Sequence, residues 1–317
     1  MRLILLPFLL ILFAACGKGI EQETQETIDV ALTYLTDGKC TEAIDALEAI
    51  DRQNTNGVYL QVLASAYACR AGYNELDFIA IDVPTINTTS ASLLFKSISI
   101  LSLSDETEAD SAEYADFRTA LNVLLNSNGA PKPSQVARTV AFGVRRSGDM
   151  GVQLLFLSVV ELGKFLNYYG NVNSVGAKGM GGGASTCFIN YTDPRAQAVI
   201  AGNFGGACVS NTGGHADLSF AAANLAIAKR RICEGLVLFN NIVDILDNID
   251  LSTNPSLSTF TRISTTINAY KAPAVAAGLG PLLETTSQSD CETAMVDPTQ
   301  FNNMQYLYSL LYESGLQ

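Results

Sequence analysis

The chain contains no tryptophan, a single histidine and no closely spaced cysteine pair, and each scarcity removes a class of chemistry. With His215 as the sole imidazole, no HExxH pair or His-rich metal site can be assembled, and no GxSxG elbow is present. No two cysteines follow a CxxC spacing, which argues against a zinc ribbon or a thioredoxin-type redox site. Positive charge is scarce too. The 19 Lys and Arg face 31 Asp and Glu, a formal net charge of -12 at pH 7, and such a surface repels nucleic acid and anionic lipid headgroups. After the first residues no apolar run reaches the roughly 18 residues needed to span a bilayer. The longest, 150–160, is closed by Asp149 and Glu161 and reads as a buried helix.

What is present begins with a leader. Met1 and Arg2 give a short positive start, and residues 3–13 form an apolar run of secretory length, too short to cross a membrane. The run ends in Phe13-Ala14-Ala15-Cys16, which resembles the lipobox of bacterial lipoproteins, although Phe13 departs from the usual Leu. The resemblance implies that residues 1–15 are a signal peptide, that the Cys16 thiol carries a diacylglycerol and that its new amine is acylated with a fatty acid such as palmitate. Each buried methylene contributes about 0.8 kcal/mol, so two or three chains hold a protein to a membrane essentially permanently. Gly17 stands where Asp would retain an enterobacterial lipoprotein in the inner membrane. The resemblance therefore implies a lipid-anchored protein of the cell envelope, on the outer membrane rather than the inner, facing the periplasm or the outside.

Six further cysteines, Cys40, Cys69, Cys187, Cys208, Cys233 and Cys291, suit an oxidising compartment and suggest three disulfides. Proximity favours Cys40 with Cys69 and Cys187 with Cys208, which leaves Cys233 with Cys291; other pairings remain open. Loops of this size contribute about 3–4 kcal/mol each in the chain-entropy account.

The absence of Trp and the dominance of Leu, Ile and Ala favour helices packed on helices, so the expected class is all-α. Residues 16–25 are polar and read as a flexible tether. Ile28, Ala31, Leu32 and Leu35 then recur at helical spacing, Asp37-Gly38 breaks the pattern, and Ala43, Ile44, Leu47 and Ile50 resume it. The order Ala31, Tyr34, Ala43, Leu47 resembles the helical hairpin of a tetratricopeptide repeat, in which small residues let paired helices approach closely. Leu63, Ala64 and Tyr67 repeat Val30, Ala31 and Tyr34 in a second unit, though Leu76 stands where a small residue is expected and neither unit ends in Pro. The resemblance implies peptide or protein recognition across residues 26–127. A bond between Cys40 in the first turn and Cys69 on the stacked helix suits that geometry. Further helices are expected at about 90–103, 107–126, 133–147 and 149–169, punctuated by Pro84, Ser104-Asp105 and Gly129-Ala130-Pro131. The acids Asp105, Glu106, Glu108, Asp110, Glu113 and Asp116 read as a solvated face near a helix start, with cation binding the sharper alternative.

Residues 128–317 read as a C-terminal helical bundle. Its expected spine covers 216–250, where Leu218, Leu225, Ile232, Phe239 and Leu246 fall seven apart and Ala221, Ala228, Gly235, Ile242 and Ile249 follow each by three. That predicts one long helix of about 50 Å at 1.5 Å per residue, approached closely near Gly235. Lys229-Arg230-Arg231 is the one basic run, read as seam-edge ion pairs, or else as a spot for an anionic ligand. Asp244, Asp247 and Asp250 read as an exposed acidic edge.

Ahead of the spine lies a glycine-rich loop, 170–214, with one short helix near 194–203. Its Gly179-Met180-Gly181-Gly182-Gly183-Ala184 fits GxGxxA but follows a helix, not a strand, so the dinucleotide reading fails. A phosphate-loop reading of 170–178 fails because Lys178 is misplaced. The loop offers backbone amides with Tyr168, Tyr169, Phe188, Tyr191 and Phe204, either as a ligand or partner site or as a surface excursion tied by Cys187 and Cys208. His215 reads as a helix cap. The sequence thus predicts a non-catalytic binding or scaffolding lipoprotein without cofactor or metal, recognising a protein or peptide through helical hairpins. A solute-binding accessory of an envelope transport system is the alternative, and an envelope hydrolase a weaker one.

Overall fold

A computed structural model describes residues 19–106, 108–203, 208, 213–221, 223–249, 251 and 257–316. Among the described residues the fold is all-α, and extended pairing is confined to an isolated bridge between Cys187 and Gly214. The helices used below are α1 (Ile20–Thr36), α2 (Cys40–Glu48), α3 (Gly57–Arg70), α4 (Ala91–Ile98), α5 (Ala112–Leu125), α6 (Gln135–Gly170), α7 (Pro194–Asn203), α8 (Leu225–Asn248), α9 (Ser258–Ala276), α10 (Gln288–Ala294) and α11 (Pro298–Tyr308).

The first hairpin follows from its periodicity. Ile28 and Ala31 on α1 and Ala43, Ile44 and Leu47 on α2 are buried against each other and against α3. Gly38 takes φ +72°, a left-handed turn open to glycine, and reverses the chain between them. The helix starts at Ile20, so residues 20–25, expected to be tether, are its first turns, with Glu21 and Glu23 at the positive end of its dipole. Asn56 caps α3 by accepting from the Val58 and Tyr59 amides. The second repeat unit lacks a matching second helix. Glu75–Asp77 passes into the short turns Phe78–Asp82 and Val83–Thr85, and Leu76 stays exposed. The partner for α3 is instead α5, which starts at Ala112, later than expected, because Ser111 caps it by accepting from the Tyr114 amide.

The two helices expected at 133–147 and 149–169 form one element, α6, kinked where Gly143 adopts φ 75° and ψ 162°. From Met150 onward its circumference is covered, by α3, α4, α5 and α8, which explains why the 150–160 run is apolar all round. The expected spine is shorter than its heptads. Residues 216–218 make a separate 3-10 turn that folds buried Leu218 back onto α8, and α8 itself has 24 residues. Ala221 is exposed, and an alanine there buries too little apolar surface to carry the helix through. Close approach holds at Gly235, where a Cβ would lie 2.4 Å from the Phe165 ring and 2.6 Å from the Tyr308 hydroxyl. Tyr308 and Tyr312 donate to the Ile232 and Gly235 carbonyls at 2.6 and 2.7 Å, docking the C-terminal helix on α8.

Three disulfides are present: Cys40–Cys69, Cys187–Cys208 and Cys233–Cys291, with Cα separations of 5.6, 4.8 and 5.7 Å. The last pins α10 to α8.

Candidate functional site

Helices α5, α6 and α8 leave a gap where they diverge, closed on one side by residues 286–292 and on another by Pro131 and Pro133. The result is a cavity of about 370 Å³, at the small end of ligand pockets. Its strap is held by design of the chain. Cys233–Cys291 anchors it, the Thr286 hydroxyl donates to the Pro133 carbonyl at 2.7 Å, and Asn241 Nδ2 donates to the Thr286 carbonyl at 3.0 Å. Leu121, Leu125, Val237 and Leu238 supply an apolar wall.

Against that wall stands an unusual polar floor. Ser158 and Glu161, three apart on one face of α6, and Asn241 on α8 are all buried, Glu161 at 2% exposure. The Ser158 hydroxyl, both Glu161 carboxyl oxygens and Asn241 Oδ1 have no hydrogen-bond partner among the described residues. Each such orphan costs about 1–3 kcal/mol, so a fold that keeps several on one cavity keeps them against its own stability. Burial pushes the Glu161 carboxyl well above the ordinary carboxylate range, with Glu234 and Glu106 adding to the shift and Arg118 and Lys164 opposing it. Burial therefore favours the protonated, neutral form of Glu161 when nothing faces it.

Glu234, the second acid on the cavity, is differently placed. Arg118 reaches its Oε1 at 2.8 Å, Arg231 donates to its Oε2 at 3.1 Å, and Arg230 lies 3.7 Å away. Its charge is thus covered by three guanidinium groups. The basic run 229–231 serves this cluster and the core. Arg231 is buried and also pairs with Asp110, while Lys229 donates to the Met295 carbonyl at 2.7 Å over the Phe301 ring.

The acids 105–116 are not simply a solvated face. Asp116 binds Arg70 at 2.6 Å, Asp110 binds Arg231, and Glu106 is buried beside Lys164 at 3.4 Å. The segment before α5 folds back over cations on α6 and α8, and Asp105, Glu108 and Glu113 are exposed as expected. Asp244, expected on an exposed edge, accepts from the Gln135 amide at 2.6 Å and lies 3.9 Å from buried Arg138, while Asp250 lies outside the described residues.

The aromatics of the glycine-rich loop do not gather round a cavity. Tyr169, Phe188 and Tyr191 are buried in the core, and among the described members of the set only Tyr168 reaches the surface, where its hydroxyl donates to Asp217 at 2.7 Å. Cys16 and Phe204 lie outside the described residues. The loop is turned inward by Glu313, fully buried in the final turn. It accepts from the Phe188 amide at 2.7 Å, from the Tyr191 hydroxyl at 2.8 Å and from the Lys178 ammonium. Lys178, which imitated a phosphate-loop lysine, is thus a structural cation. The nearby Cys187 and Cys208 are joined to each other and offer no thiolate to a metal. A second pocket, of about 620 Å³, lies beside the loop and is lined by Tyr168, Asn171 and His215. Its side chains are spent locally: Asn171 donates to the Gly183 and Ser185 carbonyls, and His215 Nδ1 accepts from the Asp217 amide at 3.3 Å. Burial lowers the His215 pKa below its usual value, opposed by Asp217.

The sequence reading therefore missed the polar floor of the cavity between α5, α6 and α8. Its signal was present in Glu161, an acid at the end of an apolar run inside a helix that continues to Gly170. No family model, curated protein or solved structure matches the chain, so the geometry alone carries the functional argument.

Proposed function

We propose that this chain is a non-catalytic, lipid-anchored binding protein of the bacterial cell envelope, held by Cys16, and that it takes a small molecule in the cavity between α5, α6 and α8. One observation carries the choice of site: a buried carboxyl, Glu161, with both oxygens unpartnered among the described residues, at a partly apolar cavity. Hydrolysis by paired carboxylates needs a second acid free to act as base or nucleophile, and Glu234 is committed to three arginines. The reading is therefore solute capture, the role of an accessory to an envelope transport system.

The anchor is consistent with the surface near the start of the fold. Val136, Val140 and Val144 lie exposed a turn apart on α6, and Ile20 shares a depression with Ala141 and Phe142 of the same stretch. A tether leaving Ile20 toward Cys16 would hold this apolar face to lipid. A second reading, capture of a protein partner by the first hairpin, has one observation in its favour: Val30 and Leu32 stand exposed on α1.

The test is mass spectrometry of small molecules released when protein purified from its own envelope is denatured. The wild type is expected to release a ligand that Leu238→Trp, which fills the cavity, does not. An equal yield from both proteins, or a protein crosslinked through Val30 as the sole adduct, would sink the cavity reading. Palmitate labelling lost in Cys16→Ala supports the anchor; labelling that persists removes it.

A further inference from the structure

We infer that the cavity recognises a primary ammonium ion on a short apolar body, with the ammonium against Glu161, Ser158 and Asn241 and the body against Leu121, Leu125 and Leu238. The inference rests on the small-molecule reading above and adds the chemistry of the ligand.

The unmet groups set the class. Glu161 offers two oxygens, Asn241 offers Oδ1 because its Nδ2 is already engaged by the Val237 and Thr286 carbonyls, and Ser158 offers a hydroxyl oxygen. All belong to residues that line one cavity, and all can accept. An alkylammonium brings three donors and no acceptor, matching a floor rich in acceptors. A carboxylate ligand would bring acceptors to acceptors and could take at most two protons from the floor, one from the Glu161 acid and one from the Ser158 hydroxyl. A guanidinium would place a second planar cation beside Arg118, which already lines the cavity.

Charge balance points the same way. The groups facing Glu161 are Arg118 and Tyr114 from α5, Lys164 on its own helix, Glu106 from the segment before α5 and Glu234 from α8, while Glu292 of α10 lines the opposite side. Lys164 pairs with Glu106 and Arg118 with Glu234, and among the described residues neither hydrogen-bonds the Glu161 oxygens. An arriving ammonium supplies that direct contact. Glu161 then ionises, its proton leaves to the buffer, and the carboxylate and ammonium remain as a pair, so one proton is released for each ammonium bound.

The experiment uses the intact mature protein with hexylammonium, and with hexanoate and hexan-1-ol as probes of equal length. Calorimetric titrations in two buffers of different ionisation heat give affinity and the proton count. Hexylammonium is expected to bind at least about tenfold more tightly than either control, to release close to one proton and to tighten as pH rises from 6 to 8. Glu161→Gln is expected to lose about tenfold in hexylammonium affinity and the proton release, while leaving hexan-1-ol unchanged. Should that variant fail to fold, the wild-type pH trend and proton count decide. Hexanoate or hexan-1-ol binding as well as hexylammonium, or no binding by hexylammonium, overturns the ammonium class. Binding of any probe that is indifferent to Leu238→Trp overturns the cavity itself, so the two failures are distinguishable.

Discussion

Glu313 and Glu161 are both buried acids on helices of the same bundle, and they could hardly be treated more differently. Glu313 receives a backbone amide, a phenol and an ammonium, so its oxygens are satisfied and its removal would strand Lys178. Glu161 receives no hydrogen bond among the described residues. Burial costs both groups their hydration, but only at Glu313 does the protein return hydrogen bonds for it. A carboxyl that is fully met is a bolt, here fastening the glycine-rich loop to the C-terminal turn. One left unmet on a cavity can take its hydrogen bonds from outside the chain.

The largest expected effect attacks the bolt. Glu313→Leu leaves a buried ammonium without counter-charge and should cost about 3–5 kcal/mol in urea unfolding. Adding Lys178→Met should recover most of that loss, because the stranded charge and not the lost pair is the main penalty. A single variant within about 1 kcal/mol of wild type would mean that the loop is held by the Cys187–Cys208 bond and its packing, and the contrast would lose one side. The opposite sign is expected at Glu161. Replacing it by Leu removes an orphaned polar group from an apolar neighbourhood and should stabilise the fold by about 1–3 kcal/mol while abolishing ligand binding. Loss of stability there would show that Glu161 has protein partners after all.

Part of this was legible in the residues and part was not. The first hairpin shows in the spacing of Ile28, Ala31, Ala43 and Leu47, and the three bridges are those that pairing by proximity in the sequence favours. The heptads of 216–250 overstate the helix, since a seven-residue rhythm fixes which side chains share a face but not whether a partner covers it; Leu218 keeps the rhythm from a separate turn. Phe188 and Tyr191 looked available because they sit in a glycine-rich stretch, and what buries them is Glu313, more than 120 residues away. The cavity floor was illegible for the same reason. Glu161 announces itself as an acid within a greasy helix, but whether it is met depends on Arg118 and Glu234 reaching it from α5 and α8, which only packing decides.

The smallest effect sharpens the contrast most, because it reads Glu161 without altering the core. Its carboxyl is raised in the folded state above the ordinary 4.5 by burial. Below about pH 4.5 the group is protonated whether the chain is folded or not, and it contributes nothing to the pH dependence. As pH rises past that value the unfolded chain gives up the proton while the folded one retains it, so stability declines by at most about 1.4 kcal/mol per pH unit until the folded group ionises as well. Other groups titrate in the same range, among them Asp244, also raised by burial, so the informative quantity is the difference between wild type and Glu161→Gln. Urea midpoints from pH 4 to 8 should show the variant gaining on the wild type steadily above pH 4.5. With saturating hexylammonium that gap should close, since the ionised carboxyl is then paired. Parallel curves would mean that Glu161 is as well met as Glu313, and that the two acids do not differ in kind.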